Sequence, residues 1–157
     1  GFLTAGPKRL TAAGDTRTPQ VISVGATDMV NFHGIDTVPE KFRSRKLHRH
    51  NDNVTLMRTT PEENARIGAD IGIKAAAAAR ANCPVAILLP LRGVSAIDRE
   101  GEAFDDPAAR RALFEAIRAN ARGVEIVEID AHVNDPAFAD AAAKKLLELL
   151  SVSKKGN

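Results

Sequence analysis

Val85-Ala86-Ile87-Leu88-Leu89 is a run of five apolar residues closed by Pro90. A short run that is apolar at every position is what a strand covered on both faces requires. The segments on either side open with one grammar. Thr60-Pro61-Glu62-Glu63 offers an N-cap hydroxyl, a proline at the first helical position and a glutamate placed for a capping box. Asp106-Pro107 and Asn134-Asp135-Pro136 repeat the cap-then-proline device. These starts predict helices over about 61–81, 107–121 and 136–150. The last carries Phe138, Ala142, Leu146 and Leu149 along one side.

Three more strands fit between and before these helices. Val124-Glu125-Ile126-Val127-Glu128-Ile129 alternates, as an edge strand does. Val21-Ile22-Ser23-Val24 is apolar and breaks at Gly25, and Val54-Thr55-Leu56-Met57 is a weaker strand. A first helix over about 7–13 precedes them. The order α-β-loop-β-α-β-α-β-α predicts an α/β fold, three-layer and Rossmann-like or flavodoxin-like, with a mostly parallel sheet. Residues 1–150 read as one α/β unit, and the polar residues 151–157 as a frayed tail.

The chain has 157 residues, of which 44% are hydrophobic, enough for one core of ordinary size. Its net charge of +2 is nearly balanced, which argues against nucleic acid as a partner. Cys83 is the only cysteine, so no intrachain disulfide can form, which suits a reducing cytoplasm. No apolar run is long enough to span a bilayer, and no signal peptide is legible. The chain opens in mid-pattern, Gly1-Phe2-Leu3-Thr4-Ala5-Gly6, without an initiator methionine, and reads as part of a longer protein.

In open α/β sheets, ligands bind beyond the carboxyl ends of the strands. That rule selects three loops. The first carries Thr27, Asp28, Asn31 and His33, the second Arg92, Gly93 and Ser95, and the third Asp130, His132 and Asn134. On one sheet edge they would share a cleft. Arg92 beside Gly93, followed by Ser95, can hold a phosphate or carboxylate, or can be a tight turn with a solvated arginine. His33 and His132 are the candidates for an acid–base role. No HxH or HExxH spacing links the histidines, so no metal site is assigned. Ser95 lacks the Gly-x-Ser-x-Gly context of a hydrolase nucleophile, and neither a Walker loop nor a dinucleotide fingerprint is present.

The basic run Lys41-Phe42-Arg43-Ser44-Arg45-Lys46-Leu47-His48-Arg49-His50 interleaves Phe42 and Leu47 with its charges. It reads as a contact surface for a protein or a second subunit, through Arg43, Arg45, Lys46 and Arg49, and an amphipathic helix is one form it could take.

Several stretches carry a family resemblance. They are Leu3-Thr4-Ala5-Gly6-Pro7-Lys8-Arg9-Leu10, Gln20 to Phe32, Thr37 to Phe42, Asn53-Val54-Thr55-Leu56-Met57-Arg58-Thr59-Thr60, Gly93-Val94-Ser95-Ala96-Ile97-Asp98 and His132-Val133-Asn134-Asp135-Pro136. Together they resemble the tomato mosaic virus resistance protein family of plants and its uncharacterised bacterial relatives. The resemblance implies the C-terminal part of a protein with two Rossmann-like α/β subdomains. It implies ATP as the ligand of the full-length protein, held mainly by the N-terminal subdomain, with none bound by this chain alone. The partners implied are that N-terminal subdomain and further copies of the protein, and the role implied is regulatory or scaffolding. The plant antiviral role is not implied for bacterial relatives. The reading of the residues keeps one alternative open, an enzyme acting on a small phosphorylated or carbonyl metabolite, with a histidine base and Arg92 as anchor.

Overall fold

A computed structural model describes residues 1–2 and 4–155. The element order is α1 Ala12–Asp15, β1 Gln20–Ser23, β2 Met29–Phe32, β3 Leu47–Asn51, β4 Val54–Arg58, α2 Pro61–Arg80, β5 Val85–Pro90, α3 Pro107–Asn120, β6 Glu125–Ile129 and α4 Pro136–Lys155. Two 3-10 turns, Ile35–Thr37 and Glu40–Phe42, lie between β2 and β3.

The fold is mixed α/β and Rossmann-like, with a parallel sheet in the order β1-β5-β6. Central β5 is buried at all six positions, as its unbroken apolar run requires. Its alternation divides the core in two. Val85, Ile87 and Leu89 join Ile22 and Val24 beneath α2 and α3, where they meet Ile71, Leu113, Phe114 and Ile117. Ala86 and Leu88 point the other way, to Phe138 and Ala142 of α4. Helices therefore cover both faces, giving the three layers expected.

The helix starts behave as their residues dictate. The Thr60 hydroxyl accepts from the Glu63 N–H, and the Glu63 carboxylate accepts from the Thr60 N–H. Asp106 accepts from the Ala109 N–H at 2.9 Å. α2 and α3 pack closely because α2 turns Gly68, Gly72 and Ala75 towards α3.

Five expectations are corrected. The Val54 strand does not join the parallel sheet. It is the centre of a second, antiparallel sheet in the order β2-β4-β3. The segment expected as a polar loop after Gly25 contains β2, and the basic run ends in a strand rather than a helix. Neither strand shows an apolar alternation, because each is half-covered at most. Their apolar cover comes from Phe32, Val38 and Met57, with Phe42 and Leu47 against them. The first helix is shorter and later than 7–13: residues 7–11 are turns. The tail expected from Ser151 is helical as far as Lys155, and residues 156 and 157 lie outside the described residues. No helix among the described residues is long and apolar enough to cross a membrane.

Candidate functional site

The loops at the carboxyl edge of the parallel sheet are tied by a buried polar network. Arg58, at the end of β4, is 4% exposed. Its Nε donates to the Phe104 carbonyl at 2.9 Å, and its Nη1 donates to the Asp28 carbonyl and the Thr59 hydroxyl. Its Nη2 meets Asp98 at 3.0 Å. Asp98 has no exposed surface and also accepts from Arg110 at 2.8 Å and from the Val94 N–H. A charge this deep is sustained only by such pairing.

Asp28 and Ser95, read from the sequence as cleft residues, meet each other inside this network. The Ser95 hydroxyl donates to Asp28 Oδ2 at 2.7 Å, and its oxygen accepts the N–H groups of Ile97 and Asp98. Burial pushes the Asp28 carboxyl above its ordinary value, against the pull of the Ser95 bond, and the nearby Asp98 charge adds to the rise. Asp28 Oδ1 has no partner among the described residues. Gly93 holds the same loop. Its φ is +137°, and a Cβ there would lie 1.9 Å from the Asp98 carbonyl oxygen.

His132 is 2% exposed. The Asn134 N–H donates to its Nδ1 at 3.1 Å, so Nδ1 carries no proton. Nε2 then bears the hydrogen and donates to the Ser95 carbonyl at 2.7 Å. Both nitrogens are engaged, and the ring acts as a strut between two loops. His33 lies in different surroundings, past the end of β2, with its ring stacked on Phe2 at 3.7 Å. The two histidines share no partner.

Asn31 is inside β2, its carbonyl accepting from the Phe2 N–H, while its side-chain Oδ1 is buried without a partner among the described residues. Arg92 lies at the surface in a two-pronged pair with Asp130, both bonds 2.7 Å. The arginine holds that carboxyl below its usual range. Arg92 faces a cavity of about 420 Å3 together with Arg99 and Arg110. Its cations are already matched: Arg92 by Asp130, Arg99 by Asp135 at 4.0 Å, and Arg110 by Asp98 and Asp105. Asn134 is exposed.

The candidates for a contact surface also divide. Arg45 is half-buried, gripping Glu63 with two nitrogens and donating to the Arg58 carbonyl at 2.7 Å. The arginine keeps the Glu63 carboxyl below its ordinary range. Arg43, Lys46 and Arg49 are exposed, and the first and last pair with their own neighbours Glu40 and Asp52. Among the described residues no three His, Cys, Asp or Glu side chains gather as metal ligands do.

A roomier opening lies elsewhere on the same edge. A groove of about 630 Å3 runs between α2, the segment 6–10 and the carboxyl end of β1. Its apolar lining includes Pro7, Leu10, Val30 and Ile67. Its polar lining at the strand end is Ser23, Gly25, Thr27 and Thr59. From α2 come Glu63, Arg66, Asp70 and Lys74, one helix face at three- and four-residue spacing. Glu63 is held by Arg45 and Asp70 by Lys74. Arg9 and Arg66 are exposed in the groove and form no ion pair among the described residues. Its size and mixed lining are those of a small-molecule site.

Of the groove's residues, Gly25, Thr27 and Val30 fall in the first loop singled out by sequence, and only Thr27 was named there as a candidate. Thr60 and Glu63 were legible as a cap, but nothing marked Arg9 and Arg66 as facing one space. The available signal was the spacing 63-66-67-70-74, a stripe whose polar members sit beside Ile67.

Residues 1–150 match the C-terminal domain of an uncharacterised protein family, UPF0261. A UPF0261 protein of Clostridium tetani is 51% identical over 152 residues, covering 96% of this chain and 37% of that protein. One from Rhizobium meliloti is 52% identical over 147 residues, covering 90% of this chain and 36% of the relative. The ToMV resistance protein Tm-1(GCR237) of Solanum lycopersicum is 37% identical over 157 residues, covering 98% of this chain and 20% of the tomato protein. The chain thus spans little more than a third of the bacterial relatives' length.

Proposed function

The chain belongs to the UPF0261 family through its C-terminal domain, and from that premise we propose that it is the ligand-facing α/β domain of an ATP-binding regulatory or scaffolding protein. The observation that carries the reading is the 630 Å3 groove at the carboxyl end of β1. Ligands of open α/β sheets bind at such an edge. The groove sets an apolar side, Leu10, Val30 and Ile67, against two cations that form no ion pair among the described residues, Arg9 and Arg66. A nucleotide divides in the same way, into a flat base and an anionic chain. In this reading ATP is held mainly by parts of the full-length protein outside this chain, and the groove supplies one wall. The resistance in the tomato protein's name is that protein's own and is not carried over.

The test is calorimetric titration of the full-length protein with ATP, before and after the paired substitution Leu10→Ala and Ile67→Ala. Loss of two half-buried aliphatic contacts is expected to weaken ATP by at least about tenfold. Thermal melting of the variant checks that the fold survives. Affinity unchanged by the substitution removes the groove from the nucleotide site. The enzyme reading gains nothing from His132, whose two nitrogens are both taken.

A further inference from the structure

We infer that the outer edge of β1 takes a further strand, contributed by the part of the full-length protein that lies outside this chain. The inference goes beyond the nucleotide reading and does not depend on it.

Among the described residues the two sheets have four edges, and three of them are taken or guarded. On β2 the Phe2 N–H donates to the Asn31 carbonyl at 3.0 Å. β3 carries the exposed Arg49 and shifts register between Arg49 and Asn51, a charge and a bulge that resist further pairing. β6 carries Glu125 and Glu128, and each is held by a cation from a different covering helix, Lys145 of α4 and Arg118 of α3. These ion pairs close both faces at that side of the sheet.

β1 has no such device. Its residues, Gln20-Val21-Ile22-Ser23, hold no charge. The Gln20 N–H donates to the Pro84 carbonyl at 2.9 Å, which turns the backbone groups of Gln20 and Ile22 towards β5 and those of Val21 and Ser23 away from it. Among the described residues the outward N–H and C=O groups of Val21 and Ser23 have no backbone partner. A neutral, unpaired edge is a template for another strand.

α4 reaches past this edge. Phe138, Ala142 and Leu149 turn down onto β1 and β5, against Val21, Ala86 and Leu88. Lys145 turns towards β6, where it pairs with Glu125 at 2.9 Å. At about 100° per residue, Leu146 and Leu150 stand on the opposite flank, beyond β1. Glu125 is level with Ala86 and Val21 across the sheet, so Leu146 stands near the level of Val21. Leu146 and Leu150 are each 37% exposed. Two leucines over an unpaired strand edge form the roof of a strand that this chain does not supply.

Length argues for the occupant. The chain covers 37% of the Clostridium tetani relative, so most of a full-length protein lies outside it. A strand of the same polypeptide meets β1 at an effective concentration of about millimolar, without the cost of bringing two molecules together. A second copy has no such advantage, and the four residues Gln20–Ser23 are a short ladder for joining two free molecules.

The experiment is hydrogen exchange on the full-length protein, read residue by residue by mass spectrometry. The Val21 and Ser23 amides are expected to exchange within about tenfold of the Ile22 amide, which β5 already holds. Faster exchange than that at both positions overturns the further strand. The occupant is read by photo-crosslinking, with p-benzoylphenylalanine in place of Leu150 and thermal melting to check the fold. The expected product is an adduct within one molecule, to a peptide outside residues 1–157. A crosslinked dimer gives the edge to a second copy and overturns the inference. An adduct confined to residues 1–157, or none, overturns it as well. ATP enters neither measurement, so failure of the nucleotide reading leaves both results standing.

Discussion

Gly93 and Asp28 show how single residues hold the loops of the site. Gly93 is required twice over: its φ is +137°, and a Cβ would lie 1.9 Å from the Asp98 carbonyl oxygen and 2.7 Å from the His132 ring. Backbone cannot yield as a side-chain tip can. Gly93→Ala is therefore expected to destabilise the domain by more than about 3 kcal/mol, read from the urea midpoint. A change below about 0.5 kcal/mol would mean the loop relaxes freely. Asp28 makes a prediction about pH. Burial raises its folded value above the ordinary 3.8, so the neutral form is favoured by the fold. Its contribution is full below 3.8 and is lost as pH rises through the raised folded value. Asp28→Asn keeps an acceptor for Ser95 and cannot ionise. The stability difference between variant and wild type should thus move in the variant's favour as pH climbs from 3.8. A difference flat with pH would show that Asp28 is not held in this way.

At the scale of elements, the closest approach is between α2 and α3. A Cβ on Gly68 would stand 2.3 Å from the Leu113 carbonyl oxygen, and one on Gly72 would be 2.9 Å from Asn120. Both glycines have ordinary helical φ, so the obstacle is space alone. In an open helix Gly→Ala stabilises by up to about 1 kcal/mol. Here Gly68→Ala is expected to reverse that sign and destabilise by about 1–3 kcal/mol, because the helices must part. Stabilisation on calorimetric melting would refute the close contact. These helices were legible because Thr60, Asp106 and their prolines are local signals, and β5 because its whole length is apolar. β2 and β3 were not. Leu47-His48-Arg49-His50-Asn51 has no alternation, and its strand character comes from pairing with Leu56 and Met57 of β4. The cleft was half legible for the same reason. Position after a strand led to the loops of Asp28 and Ser95, but not to the inward turn of these side chains towards each other. Arg9 and Arg66 meet only when a turn and a helix face are brought together, which no local pattern records.

The described residues form two sheets whose buried apolar clusters are separate, and Arg58 is a polar bridge between them. It stands on β4 of the antiparallel sheet and reaches the loop after β1 at the Asp28 carbonyl and the loop after β5 at Asp98. It also reaches the Phe104 carbonyl before α3. The same residue touches the Thr59 hydroxyl, which in turn holds Thr27 and so the floor of the groove. Arg58→Met keeps the stem but strips every donor, leaving Asp98 buried with Arg110 as its one remaining cation. Removing one partner of a buried pair costs about 3–5 kcal/mol. That loss, measured by urea unfolding, should fall by more than about 1 kcal/mol when Asp98→Asn is already present, because the charge left behind is then gone. Hydrogen exchange offers an independent reading. Amides of β2 and β4 in Arg58→Met should open well before those of α2 and β5, since the parallel sheet keeps its own two-sided core. Additive losses within about 0.5 kcal/mol, with both sheets opening together, would show that the sheets are joined by something other than Arg58.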